Sequence, residues 1–212
     1  MNEEKINIRV LTPFGPGIAK TKIPTPIITK LNEYFDKINS NTSKTSELNH
    51  GNKLVGNVSK ELKIEHQFAK ECGWTDFLSK ITEIYIKALT EKNIKKFSII
   101  ETWIVSQFEH EYNPTHWHSG HISGAGYLKI PNTMGSNFQK KNMYNYNGHL
   151  QLIHGTRQFL SHSLFNIKPE LGDFYLFPNY LMHTVFPFRE TKEERRCISF
   201  NALIDEEIYN VY

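Results

Sequence analysis

Apolar positions change their period twice in the first ninety residues. Ile6, Ile8 and Val10 alternate with polar neighbours, which predicts an extended lead-in over residues 6–30, interrupted by the turn chemistry of Pro13, Gly15 and Pro16. From about Pro26 to Ile38 the spacing becomes helical through Ile27, Ile28, Leu31, Tyr34, Phe35 and Ile38, the pattern of an amphipathic helix. Residues 39–62 are rich in Ser, Asn, Thr, Lys and Gly and carry no apolar repeat, so a long loop is expected there. Helical spacing returns from about Glu65 to Glu91 through Phe68, Cys72, Trp74, Phe77, Leu78, Ile81, Ile84, Tyr85 and Leu89, with Gly73 as an interruption. That helix is expected on the outside of a sheet.

Beyond Lys96 the pattern is one of short strands: Phe97–Phe108, Ser123–Ile130, Gly148–Ile153, Gln158–Leu164, Asp173–Phe177 and Arg195–Ile204. Asn-Pro, Ser-Gly, Pro-Asn, Asn-Gly and Phe-Pro breaks separate them, and strands at such near-regular spacing predict a sandwich or barrel. The Asn-, Lys- and Tyr-rich stretch 132–147 reads as a loop at the barrel mouth, placed to lie over a site. The organisation expected is one structural domain: residues 1–95 as an extended segment and helices packing on the sheet, and 96–212 as the β core. At 212 residues the chain suits one full-sized core better than two.

Composition agrees with a β-rich globule, since the 13% aromatic share comes mostly from 14 Phe and 10 Tyr, which favour strands. The formal charge of +3, with basic residues dispersed, supports no nucleic-acid partner. Cys72 and Cys197 lie far apart with no Cys-x-x-Cys spacing, so neither a disulfide scaffold nor a zinc ribbon is expected. MNEEKINIRV has no apolar leader core, and no later apolar run approaches the roughly 20 residues of a membrane helix. The expected location is cytoplasmic, in a bacterium or an infected host cell, with a homodimer left open.

Candidate chemistry concentrates in ten histidines, three of them within NPTHWHSGHISG: His116, His118 and His121. Neutral imidazole is the commonest nitrogen ligand for iron, zinc and nickel. On a strand His116 and His118 would point to one face and Trp117 to the other, as two ligands of one ion should. In ELGDFYLFPNYLMHTVFPF a third candidate, His183, follows a strong strand and a Pro178-Asn179 turn. Twelve residues on, Arg195 opens RRCISFNALI, sharing one strand face with Cys197 and Ser199. A guanidinium facing a barrel interior is costly unless an anion meets it, and its planar fork matches a carboxylate.

The order His-x-His, distal His183, then Arg195 resembles the 2-oxoglutarate and Fe(II)-dependent oxygenase superfamily, and more narrowly the oxygenases common in marine bacteria and cyanophages. The resemblance runs from about Ile100 to Ile204, carried by ETWIVSQFEHEYNPTHWHSGHISGAGYLKIP, GDFYLFPNYLMHTVFPF and RRCISFNALI. It implies a mainly β chain with flanking helices, folded as a double-stranded β-helix (cupin-like jelly roll). It further implies Fe(II) bound by His116, His118 and His183, with His121 as the alternative second ligand. By the same resemblance Arg195 pairs with the far carboxylate of the cosubstrate 2-oxoglutarate, Tyr127 assists it, and Cys197 stands where a serine is common beside that arginine. His118 stands where the superfamily usually has a carboxylate.

The activity implied is a dioxygenase that consumes O2 and 2-oxoglutarate, hydroxylates a small-molecule or peptide substrate, and releases succinate and carbon dioxide. Two other readings stay open: a three-histidine dioxygenase that uses no 2-oxoglutarate, which the histidine at 118 favours and Arg195 opposes, and a non-catalytic jelly-roll protein binding a metal or ligand.

Overall fold

Pro24 and Pro26 fix where the first helix begins, because proline presets the backbone of a first turn in which its missing N–H has no partner to lose. The computed structural model describes residues 15–51, 54–138, 141 and 143–210, so the alternation of Ile6, Ile8 and Val10 lies outside the described residues. Helix α1 runs Thr25–Asn39 and buries Leu31, Phe35 and Ile38. A short helix, α2, covers Thr42–Glu47. The second long helical stretch divides into α3 (His66–Glu71) and α4 (Trp74–Thr90) at Gly73, whose φ of 86° is a left-handed conformation that favours glycine. Trp74 is fully buried at that junction and its Nε1 donates to Thr102 Oγ1 at 3.0 Å, fixing the helix to the sheet.

Among the described residues ten strands form two antiparallel sheets. In chain order they are β1 (Ala19–Lys22), β2 (Lys60–Lys63), β3 (Phe97–Gln107), β4 (Asn113–His116), β5 (Ile122–Lys129), β6 (Leu150–Ile153), β7 (Leu164–Ile167), β8 (Asp173–Pro178), β9 (Met182–Val185) and β10 (Arg195–Ile204). The larger sheet has the order β1-β8-β5-β10-β3-β2 and the smaller β4-β9-β6-β7. This is a mainly β, double-stranded β-helix architecture.

The alternation of each central strand explains the layers. Ile198, Phe200, Ala202 and Ile204 of β10 enter a core shared with α1, α3 and α4, whereas Cys197 joins Trp103, Val105, Tyr127, Leu150 and Leu152 between the two sheets. In β5 the helix-side positions 124 and 126 are glycines because the aromatic layer leaves no room. A Cβ on Gly126 would lie 2.4 Å from Phe174, and one on Gly124 would lie 2.7 Å from Phe200. Arg196 also points to the helix side, where Glu194 accepts from its Nε and Nη2 at 2.8 Å each, Asp36 accepts at 2.6 Å, and Phe35 stacks on it.

Three expectations are corrected. Residues 39–62 are not one loop: α2 starts where Asn41 accepts from Lys44 N, and β2 extends the large sheet by pairing with β3. Both are short and stand on a cap and a neighbour strand, neither of which leaves an apolar repeat. The strand expected at Gln158–Leu164 begins only at Leu164, because Gln158 and Ser161 bridge each other in a tight turn with Leu160 at φ 61°. The described residues of the stretch 132–147 do not line the cavity mouth. Their backbone is tied to the 189–193 segment instead, with Arg189 donating to Ser136 O and Glu193 accepting from Asn132 N.

The first 95 residues also do more than flank the core, since β1 and β2 form the two edges of the larger sheet. No helix among the described residues is long and apolar enough to cross a membrane.

Candidate metal centre

β4 and β9 are neighbours in the smaller sheet, and their register sets His116 directly opposite His183. Cross-strand partners hold their Cβ atoms about 4.5–5.5 Å apart, so this register alone brings two imidazoles together. His118 follows two residues after His116, just beyond the strand end. Its backbone is clamped by Asn179: His118 N donates to Asn179 O at 3.0 Å, and Asn179 Nδ2 donates to His118 O at 3.2 Å. Thus the Pro178-Asn179 turn that delivers His183 also places His118. Trp117, between them, is exposed at the rim of the cavity they border.

One ligand nitrogen from each of His116, His118 and His183 lies within 4.8 Å of the others. The ring centroids are 4.3 Å apart for His116–His183, 4.9 Å for His118–His183 and 5.0 Å for His116–His118. Two rings have their tautomers set by main-chain carbonyls. His183 Nδ1 lies 2.8 Å from Leu181 O and His116 Nδ1 lies 2.7 Å from Pro114 O, so both Nδ1 atoms donate and both Nε2 atoms keep their lone pair. His118 Nε2 sits 3.1 Å from His183 Nε2, which makes His118 the donor of that contact.

Burial holds all three imidazoles below the usual histidine pKa: His116 downward, His183 to about 4, and His118, further lowered by its two histidine neighbours, to about 2. They are neutral near pH 7, as ligands must be.

A pH effect follows for the metal-free protein. Above pH 6.5 these rings are neutral whether the chain is folded or not. Below it the unfolded chain takes up protons that the folded rings refuse, so stability falls as pH falls toward 4. The slope can reach about 1.4 kcal/mol per pH unit for each ring. Urea unfolding in the presence of a chelator should show a lower midpoint at pH 5 than at pH 7; a flat profile would contradict it.

His121 stands apart from this cluster. Its ring stacks on Tyr209, its Nδ1 accepts from Ile204 N at 3.1 Å, and its Nε2 faces Glu206.

The three histidines border a cavity of about 200 Å³ between the sheets, into which Arg195, Cys197, Ser199 and Asn201 of β10 all point. Arg195 is 3% exposed, and its guanidinium lies over the Tyr127 ring at 5.1 Å. Gln107, its register partner on β3, accepts from Nη1 at 2.8 Å, but Arg195 Nε and the Tyr127 hydroxyl are buried with no hydrogen-bond partner among the described residues. A guanidinium Nε–H and a phenol O–H that both await an acceptor fit a bound carboxylate. Burial pushes the Tyr127 phenol and the Cys197 thiol up, so both keep their protons near neutral pH.

Gln107, Asn179, Trp103, Glu61 and Glu101 belong to this neighbourhood without having been singled out in the sequence. Gln107 and Glu101 could have been found from the alternation of β3, but Asn179 acts through its backbone and leaves only a turn signal.

Comparison with known proteins bears on the same segment. A family model described as "Putative 2OG-Fe(II) oxygenase" matches residues 101–201. No curated protein matches by sequence. Among solved structures, a Pseudomonas putida prolyl-4-hydroxylase is similar with a TM-score of 0.59 and 14% identity over 88% of this chain and 92% of its own. A viral collagen prolyl hydroxylase of Paramecium Bursaria Chlorella virus-1, in complex with 2-oxoglutarate, aligns at 0.52 and 13% over 87% and 94%. HygX from Streptomyces hygroscopicus, with nickel and 2-oxoglutarate bound, aligns at 0.53 and 10% over 88% and 81%. At these identities the likeness carries the fold.

Proposed function

We propose that the chain is a 2-oxoglutarate/Fe(II)-dependent oxygenase, as the family model matching residues 101–201 supports, that His116, His118 and His183 hold the iron, that Arg195 and Tyr127 hold the far carboxylate of 2-oxoglutarate, and that the reaction hydroxylates a substrate carried into the same cavity. The observation that carries this assignment is the pairing of a three-imidazole cluster with an Arg195 Nε that has no acceptor among the described residues, both on one cavity. When bound, the iron and its cosubstrate supply the oxidising chemistry, in which dioxygen and 2-oxoglutarate are converted to succinate and carbon dioxide and one oxygen atom passes to the substrate.

The chain's own contribution is placement. Leu181 O and Pro114 O fix two imidazole tautomers, Asn179 fixes the backbone of the third, and Gln107 holds the guanidinium that orients the cosubstrate. Cys197 lies beside that guanidinium on the cavity wall and remains a neutral thiol, whose S–H is a weak donor for the same carboxylate. Three neutral imidazoles leave the charge of Fe(II) uncompensated, so the site favours a dianionic cosubstrate more than one containing a carboxylate ligand would. A three-histidine dioxygenase that uses no cosubstrate would leave the unmet N–H of Arg195 unexplained.

The test is anaerobic addition of Fe(II) and then 2-oxoglutarate. A visible metal-to-ligand charge-transfer band that appears only with both is expected, together with succinate formation once oxygen is admitted. Iron binding with no response to 2-oxoglutarate would favour the cosubstrate-free reading.

A further inference from the structure

Two carboxylates stand on the β2–β3 side of the cavity, opposite in charge to the guanidinium. Glu101 is met: its Oε2 lies 3.1 Å from His50 Nε2, and its Oε1 accepts from Asn201 Nδ2 at 3.1 Å. Glu61 is different. It sits on β2 opposite Val105, borders the cavity, is only 2% exposed, and its carboxylate has neither a hydrogen bond nor an ion pair among the described residues. Burial alone raises its pKa to about 7.

Beside it Asn113 Oδ1 is buried and has no donor among the described residues. The two oxygens crowd one point, since a Cβ on Gly56 would lie 2.5 Å from Asn113 Oδ1 and 3.0 Å from Glu61 Oε1. Trp103, Leu54 and the exposed Trp117 line the same cavity.

A buried carboxylate with no partner is unfavourable until a cation or donor meets it, and a second unmet acceptor at the same spot asks for the same thing. Aromatic walls add attraction for a cation. By register Glu61 on β2 faces Val105 on β3, which in turn faces Cys197, so this carboxylate stands two strands across from β10 and two residues along from Arg195.

We infer that the substrate carries a cationic nitrogen, a primary ammonium or a guanidinium, received by Glu61 and Asn113 in this cavity. The inference rests on the cavity being the oxygenase active site proposed above, and it adds the substrate class. A free amine, a diamine or a basic side chain of a peptide would satisfy it. A neutral or acidic substrate would leave Glu61 as it is.

The experiment is calorimetric titration of the full chain, as purified and again after anaerobic loading with Fe(II) and 2-oxoglutarate. The probes are N-acetyl-lysine amide and N-acetyl-arginine amide, against their uncharged counterparts N-acetyl-norleucine amide and N-acetyl-citrulline amide. The cationic probes should bind at least about tenfold tighter, as expected for a charge-assisted bond, and Glu61→Gln should erase the preference. Asn113→Asp should strengthen the preference by adding a carboxylate. The double variant Glu61→Gln/Asn113→Asp should regain part of it, which distinguishes loss of the counter-charge from a disturbed fold.

Equal affinity for charged and neutral probes in the parent protein would overturn the inference, because Glu61 would then be protonated and donating to Asn113. A preference that survives Glu61→Gln unchanged would overturn it too, since the counter-charge would belong elsewhere in the chain. Glu61-dependent cation binding without any 2-oxoglutarate response would retain the cation site and remove the oxygenase reading, whereas a normal 2-oxoglutarate response with no cation preference would do the reverse.

Discussion

Replacing His183 by Ala is expected to reduce Fe(II) affinity by more than about 100-fold, so that the purified variant holds essentially no iron. The bound is conservative, because loss of a residue that merely supports a ligand already costs roughly 10–100-fold, and His183 sits at the centre of the cluster. It faces His116 across the β4–β9 pair and lies within contact distance of His118. Removing it leaves two imidazoles, and two neutral ligands cannot complete one face of an octahedral ion. Because His183 is also 4% exposed and packs on Phe177, His183→Gln serves as the volume-matched partner, with circular dichroism as the check on folding.

His121→Ala is the control. Its ring is occupied by Ile204 N and Tyr209, away from the cluster, so iron content should equal that of the parent protein. His118→Asp should keep iron, since it supplies an ionised oxygen where the resembled superfamily usually has one. Full iron occupancy in His183→Ala, or loss of iron in His121→Ala, would overturn the ligand assignment.

The strands that build this site were legible because their side chains obey period two over long runs. Arg195–Ile204 reads off the sequence with its alternation intact, and the structure keeps Arg195, Cys197 and Ser199 on the cavity and Ile198 and Phe200 on the helix side. The long helices were legible for the parallel reason, a sustained apolar stripe, and Gly73 announced the break between two of them. What escaped was short. Strands of four residues, such as β2, β4 and β9, show too few alternations to separate from loop, and their existence depends on neighbours far along the chain.

The candidate site was half legible for a related reason. Ligand types and their spacing are local, so His116, His118 and His183 could be singled out before any fold was known. Their support is not local: Asn179 holds His118 through its own main chain and amide, 61 residues away. Glu61 lay inside a stretch without pattern and drew no attention until the β2–β3 pairing put it on the cavity wall.

Arg195→Met is expected to raise the KM for 2-oxoglutarate by at least about tenfold, with a matching loss of 2-oxoglutarate-induced absorption at fixed concentration. A buried hydrogen bond to a charged group is worth roughly 1.5–3 kcal/mol, and about 1.4 kcal/mol is already a factor of ten. Methionine keeps most of the stem and the contact with the Tyr127 ring while removing the fork. The neighbouring guanidinium provides the contrast. Arg196 points the opposite way, into Glu194, Asp36 and Phe35, and it is 3% exposed. Arg196→Met should therefore leave the KM for 2-oxoglutarate near the parent value but lower stability by about 3 kcal/mol, because Glu194 would be left buried beside Ser106 without its main partner. The two adjacent substitutions thus separate cosubstrate binding from folding: steady-state kinetics reads the first, urea unfolding the second. If Arg196→Met carried the KM effect and Arg195→Met did not, the cosubstrate would have to bind on the helix side of β10, and the cavity between the sheets would lose its assignment.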